Sequence, residues 1–186
     1  NYFPTNSECP ALKAIGFDLD GTLYDEFDFI DQVYDAIATK ISKSININRN
    51  CLHESLLNLW LEKGTSYPYI FDDTLSLHSV SSDKKTKVIS ECLNIFRNYK
   101  PVLHLPGRVC KLLEYLSKHY ILFIVTDGGS KLQFNKYTSL GLDRWIHPAN
   151  ISISGIFPVK VVATMSLLAN SAVTRFSPII PFNAVL

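Results

Sequence analysis

Asp18 and Asp20, in the stretch IGFDLDGTLYDE (15–26), stand two residues apart between an apolar run and a glycine. In extended chain, positions two apart point the same way, so both carboxylates converge just beyond a strand end. That is where open α/β sheets bind ligands. Gly21 allows a tight departure from the strand with the backbone close to a ligand. Two converging carboxylates repel each other unless a cation lies between them or one carries a proton. Mg2+, a hard cation with oxygen ligands, meets that demand. An aspartate can also act as a nucleophile and carry a phosphoryl group as an aspartyl-phosphate. A lone D-x-D is more often a plain strand end with an Asx-type turn.

A second apolar run, ILFIV (121–125), also ends in a polar turn, TDGGS (126–130). Thr126 offers a hydroxyl at the strand tip. Gly128 and Gly129 let backbone N–H groups turn toward an anion, and a following helix adds its positive N-terminal end. The plain alternative is an ordinary strand-to-helix turn, with Asp127 as a turn residue and Ser130 as the helix N-cap.

These residues need a scaffold. AIGF (14–17) is apolar on both faces, which suits a strand inside a parallel sheet. Phe27, Ile30, Val33, Tyr34, Ile37 and Ile41 fall at helical spacing between Phe27 and about Ile45. Leu52, Leu56, Leu59 and Trp60 predict a second helix ended by Gly64. TSYPYIFDDTLSLHS has no clean period and reads as a loop, its aromatics packed among the helices. A third helix is expected from about Asp83 to Asn98, with Val88, Cys92, Ile95 and Phe96 on one face. LPGRVCKLLEYLSKHY predicts a helix before the strand at 121–125, and KLQFNKYTSL one after it, stopped by Gly141. ISIS (151–154) reads as a third strand. Strand, several helices, then helix–strand–helix–strand is the order of an open α/β sheet with a helical insertion after its first strand.

FDLDGTLYD, followed by an apolar strand ending in TDGGS, resembles the haloacid dehalogenase (HAD) superfamily in its phosphatase branch with a helical cap. The PGRVCKLLEYL helix is also similar, and the resemblance covers roughly residues 14 to 156. It implies a HAD-like Rossmannoid parallel sheet, with residues 1–24 and 101–186 as core and 25–100 as the inserted helical cap. Asp18 would be the nucleophile and Asp20 the general acid and base. Asp18 and the Asp20 backbone carbonyl would hold Mg2+. Thr126, Asp127 and Gly128 would bind the phosphoryl oxygens. Asp at position 20 also argues against the dehalogenase branch. The TLYDE and TDG…QFNKYTSLGL segments resemble small sugar-phosphate or nucleotide phosphatases.

The family also has a lysine, usually followed by proline, and an acidic motif that completes the metal site. Lys160 lies at the right distance from Thr126 but is followed by Val161. It is either that lysine or a surface residue. Lys131 and Lys136 are expected to be solvated. No Asp or Glu follows Asp143. The apolar tail from about Val159 is therefore a truncation, an altered frame or a docking segment that forms an interface. With that motif missing, the alternative to a Mg-dependent phosphohydrolase is a degenerate HAD-like protein that binds a phosphorylated ligand or a protein partner.

Composition bounds the partners. The 186 residues are 47% hydrophobic and 19% charged, with a net charge of +1. That balance gives no electrostatic case for nucleic acid or membrane as partner, and the resemblance implies a small phosphorylated substrate. NYFPTNSECP lacks the basic start and apolar middle of a signal peptide. The scattered Cys9, Cys51, Cys92 and Cys110 form no metal-spaced pair and suit reduced thiols in the cytoplasm. The five histidines are read as structural or surface residues.

Overall fold

A computed structural model describes residues 13–153. Along the chain these form β1 (Ala14–Phe17), α1 (Glu26–Ile45), α2 (Arg49–Lys63), α3 (Ile70–Leu77), α4 (Ser82–Asn98), α5 (Gly107–Leu116), β2 (Ile121–Thr126), α6 (Ser130–Ser139) and β3 (Ile151–Ile153). Two short 3-10 turns lie between α6 and β3. The chain divides into two compact units, one of residues 1–25 and 103–186 and the other Glu26–Val102.

The first unit is built on a parallel sheet in the order β1-β2-β3. Gly16 faces Phe123 in the β1–β2 register. A Cβ at position 16 would lie 2.4 Å from the Phe123 ring, so only glycine lets that ring cross β1. Burial along β2 alternates: Leu122, Ile124 and Thr126 are buried, whereas Ile121 and Val125 are 47% and 43% exposed. The fully apolar run at 121–125 is thus covered on one face among the described residues. Leu132, Tyr137, Leu140, Leu142 and Ile146 complete this core, and the Tyr137 hydroxyl donates to the Ile146 carbonyl at 2.5 Å.

The second unit is helical. Along α1 the buried residues Phe29, Ile30, Val33, Tyr34, Ile37 and Ile41 recur at three- and four-residue steps. Phe27, expected on that face, is 39% exposed and stands 6.1 Å from the Trp60 ring. The Asn48 side chain caps α2 by accepting from the Asn50 and Cys51 N–H groups, and the Gly64 N–H closes its far end on the Trp60 carbonyl. The segment expected to be a loop contains α3. Its apolar residues cluster as Ile70, Phe71 and Leu75, with Thr74 buried among them and its hydroxyl donating to the Ile70 carbonyl at 2.7 Å. Two turns are too few to display a period, so packing reveals this helix where spacing could not. Phe71 meets the Tyr34 and Phe96 rings edge-on, and Phe96 meets Phe29 in the same way. Burial pushes the Tyr34 phenol upward and the Cys92 thiol up to about 12. The Gln32 amide, on α1, closes the unit. It donates to the Val102 carbonyl and accepts the Val102 N–H, both at 2.9 Å.

Candidate active site

The chain leaving β1 curls at once. The Leu23 N–H donates to the Leu19 carbonyl at 3.1 Å, and Leu19, Leu23 and Tyr24 are buried at 1–3% exposure. These apolar anchors fix the polar residues between them. Asp18 stands exposed at the tip, and its Oδ1 accepts its neighbour Leu19's N–H at 2.7 Å.

β2 runs beside β1 in the same direction, so Thr126, the last residue of β2, ends near Asp18, which follows β1. Both residues thus stand at the carboxyl ends of adjacent parallel strands. The Asp18 carboxyl titrates above the ordinary range. Partial burial is the main cause, and the Leu19 N–H opposes it. The charges of Asp20 and Asp127 raise it further, while the Thr126 hydroxyl lowers it.

Asp20 has a different environment. Its Oδ1 accepts the Tyr24 hydroxyl and the Lys136 ammonium, the latter at 2.7 Å. Its Oδ2 accepts the Gln133 amide at 2.9 Å. Lys136, expected to be solvated, is 2% exposed. A buried ammonium requires an anionic partner, and Asp20 is that partner. Gln133 is buried too, and its Nε2 also donates to the Asp127 carbonyl at 2.6 Å. Gly128 has φ +121°, and a Cβ there would meet the Gln133 Nε2 at 3.0 Å. The turn thus needs glycine twice over, for its backbone and for the amide beside it.

Lys136, Gln133 and Tyr24 escaped sequence reasoning. A signal for the first two was present. The buried positions of α6 are Leu132, Gln133, Lys136 and Tyr137, so two polar residues share the apolar stripe. Polar residues on a core-facing stripe require buried partners. Ser130 is not the α6 N-cap; Gly129 is, and no side chain caps the helix. The N-terminus of α6 follows the Thr126–Gly129 turn, and a helix N-terminus favours an anion. Lys131 is exposed. Lys160 lies outside the described residues.

Oxygen donors and net negative charge around Asp18 fit a hard divalent cation. Both carboxylate oxygens of Asp20 are engaged, which leaves its backbone carbonyl as the donor it could offer. Among the described residues, no group of three or more His, Cys, Asp or Glu side chains is arranged to hold a metal ion.

No protein-family model matches the chain. It is similar to the glyceraldehyde 3-phosphate phosphatase of Methanocaldococcus jannaschii, 29% identical over 140 residues, covering 74% of this chain and 59% of the relative. The enzyme of the same name from Pyrococcus furiosus is 28% identical over 144 residues, covering 76% and 59%. The chain thus spans about three fifths of the length of these curated relatives. Among solved structures, a haloacid dehalogenase-like hydrolase from Burkholderia xenovorans matches with a TM-score of 0.51 at 15% identity, covering 89% of this chain and 70% of that one. A HAD hydrolase of family IA from Entamoeba histolytica matches with a TM-score of 0.50 at 18% identity, covering 78% and 62%.

Proposed function

We propose that this chain, which has the fold of the haloacid dehalogenase-like hydrolases, is built for phosphomonoester hydrolysis through an aspartyl-phosphate. The observation that carries the reading is the placement of Asp18 and Thr126 at the tips of two adjacent parallel strands, with the N-terminus of α6 following the Thr126 turn. Asp18 attacks phosphorus, and the bond to the ester oxygen breaks. Asp20 gives that oxygen its proton. Water then attacks phosphorus and gives a proton to Asp20, the Asp18–phosphorus bond breaks, and phosphate leaves. Thr126 and the N–H groups of the Asp127–Gly128 turn hold the phosphoryl oxygens. Positioning and charge neutralisation dominate such transfers. Mg2+ held by Asp18 and the Asp20 carbonyl would offset the negative charge of nucleophile and phosphate.

The relatives' shared name supports a short sugar phosphate as substrate class. Free Cys51, Cys92 and Cys110 support a reducing, cytoplasmic setting. No helix among the described residues is long and apolar enough to cross a membrane.

The second reading, a phosphate-binding protein with weak or no turnover, is favoured by the engagement of both Asp20 carboxylate oxygens as hydrogen-bond acceptors. One experiment separates the two. Glyceraldehyde 3-phosphate and p-nitrophenyl phosphate are offered to the chain across a Mg2+ titration. The enzyme reading requires Mg2+-dependent turnover that disappears in Asp18→Asn. Phosphate binding without turnover selects the second reading, and turnover untouched in Asp18→Asn places the chemistry elsewhere.

A further inference from the structure

Three donors converge on the Asp20 carboxylate, and two of them come from one buried face of α6, three residues apart. The Lys136 side chain is 3% exposed and the Asp20 side chain 18%. Gln133 places its Nε2 between two acceptors, Asp20 Oδ2 and the Asp127 carbonyl. The Asp127 carbonyl cannot donate, so the orientation of the amide is fixed by that partner. Its Oε1 is buried and finds no partner among the described residues.

We infer that Lys136 and Gln133 are positioning residues that hold the Asp20 carboxylate in one orientation beside Asp18 and tie it to the Asp127–Gly128 turn. The inference rests on the phosphohydrolase reading and deepens it. A carboxylate gripped on both oxygens cannot rotate about its terminal torsion. Proton delivery to a leaving oxygen depends on such orientation, and misplacement by about 1 Å costs on the order of 100-fold. Tyr24 anchors Asp20 from its own loop, whereas Gln133 couples it to the group that receives phosphate.

The role is read from leaving-group dependence. An alkoxide needs a proton to depart, and p-nitrophenolate does not. Lys136→Met should therefore lower kcat on an alkyl phosphate by about 100-fold, lower it on p-nitrophenyl phosphate by less than about tenfold, and leave KM little changed. Lys136→Arg should restore part of the alkyl rate. Gln133→Leu, which retains the ion pair, should shift the alkyl-to-aryl ratio in the same direction, and it serves should Lys136→Met fail to fold. An unchanged alkyl-to-aryl ratio in the folded variants overturns the role. Side-chain three-bond couplings at Asp20, measured by NMR without substrate, test the placement itself. One rotamer in the wild type and averaging in Lys136→Met are expected, and averaging already in the wild type overturns the inference. Absence of wild-type turnover with a single Asp20 rotamer would instead sink the phosphohydrolase reading alone.

Discussion

Replacing Gly16 with alanine tests whether the approach of β1 to Phe123 sets the position of Asp18. The new Cβ would lie 2.4 and 2.5 Å from two ring carbons of Phe123. Carbon atoms pack at about 3.5–4.0 Å, so the ring or the strand must yield by more than about 1 Å. Overpacking of this kind costs about 1–3 kcal/mol, offset by about 0.5–1 kcal/mol from removing a glycine from a strand. The net loss should be about 0–2.5 kcal/mol by urea denaturation with an unchanged m-value. Phe123→Ala removes the obstacle. In that background Gly16→Ala should become neutral or stabilising, giving a coupling energy of about 1–3 kcal/mol in a double-mutant cycle. Gly16 lies in β1 two residues before Asp18, which follows the strand end, so a strand that moves to admit the Cβ carries Asp18 with it. Any phosphatase rate should then fall in Gly16→Ala and recover in the double variant. An equal loss of stability in both backgrounds would refute the steric argument. A full loss of stability with unchanged activity would show that the ring, not the strand, gives way.

Two further outcomes follow from titration behaviour. The Asp18 carboxyl titrates above its ordinary value, so its ionisation opposes folding. The penalty is absent at pH values below the ordinary carboxyl range and grows as pH rises through the raised value. Asp18→Asn should therefore be more stable than the wild type at neutral pH, with the advantage shrinking on acidification; a constant difference across pH would contradict this. Cys92, buried with its thiol pushed up to about 12, should resist alkylation at pH 8 while exposed Cys51 reacts, as read by mass spectrometry. Equal labelling of both in the folded chain would count against the packing of α4.

Motif residues with short-range logic were the legible part of this sequence. Asp18 and Asp20 announce a strand end by their spacing, and Thr126 follows an apolar run with the same ending. The long helices α1 and α4 show their period because each has four or more turns in which to repeat it. α3 has two turns, and its apolar residues fall in a clump that suits helix and loop equally. Lys136 was misread because lysine is almost always solvated. Its burial depends on Asp20, which lies far away in sequence, and no local pattern encodes that pairing. The one-sided burial of β2 was equally invisible, since Ile121 and Val125 look like core residues until their surroundings are known. Lys160 stands where the described residues say nothing.

The Gln32 amide engages both backbone groups of Val102, much as a neighbouring strand would. Gln32 is near the start of the helical unit and Val102 is its last residue. The two ends of the insertion are therefore fastened to each other by the insertion's own atoms. A segment closed in this way brings its termini together at its own expense, so the host sheet need not supply the loop-closure entropy. Such a unit behaves as a cassette. It can lengthen, shorten or change its interior without altering the gap it spans in the host chain, provided that one amide clasp is retained.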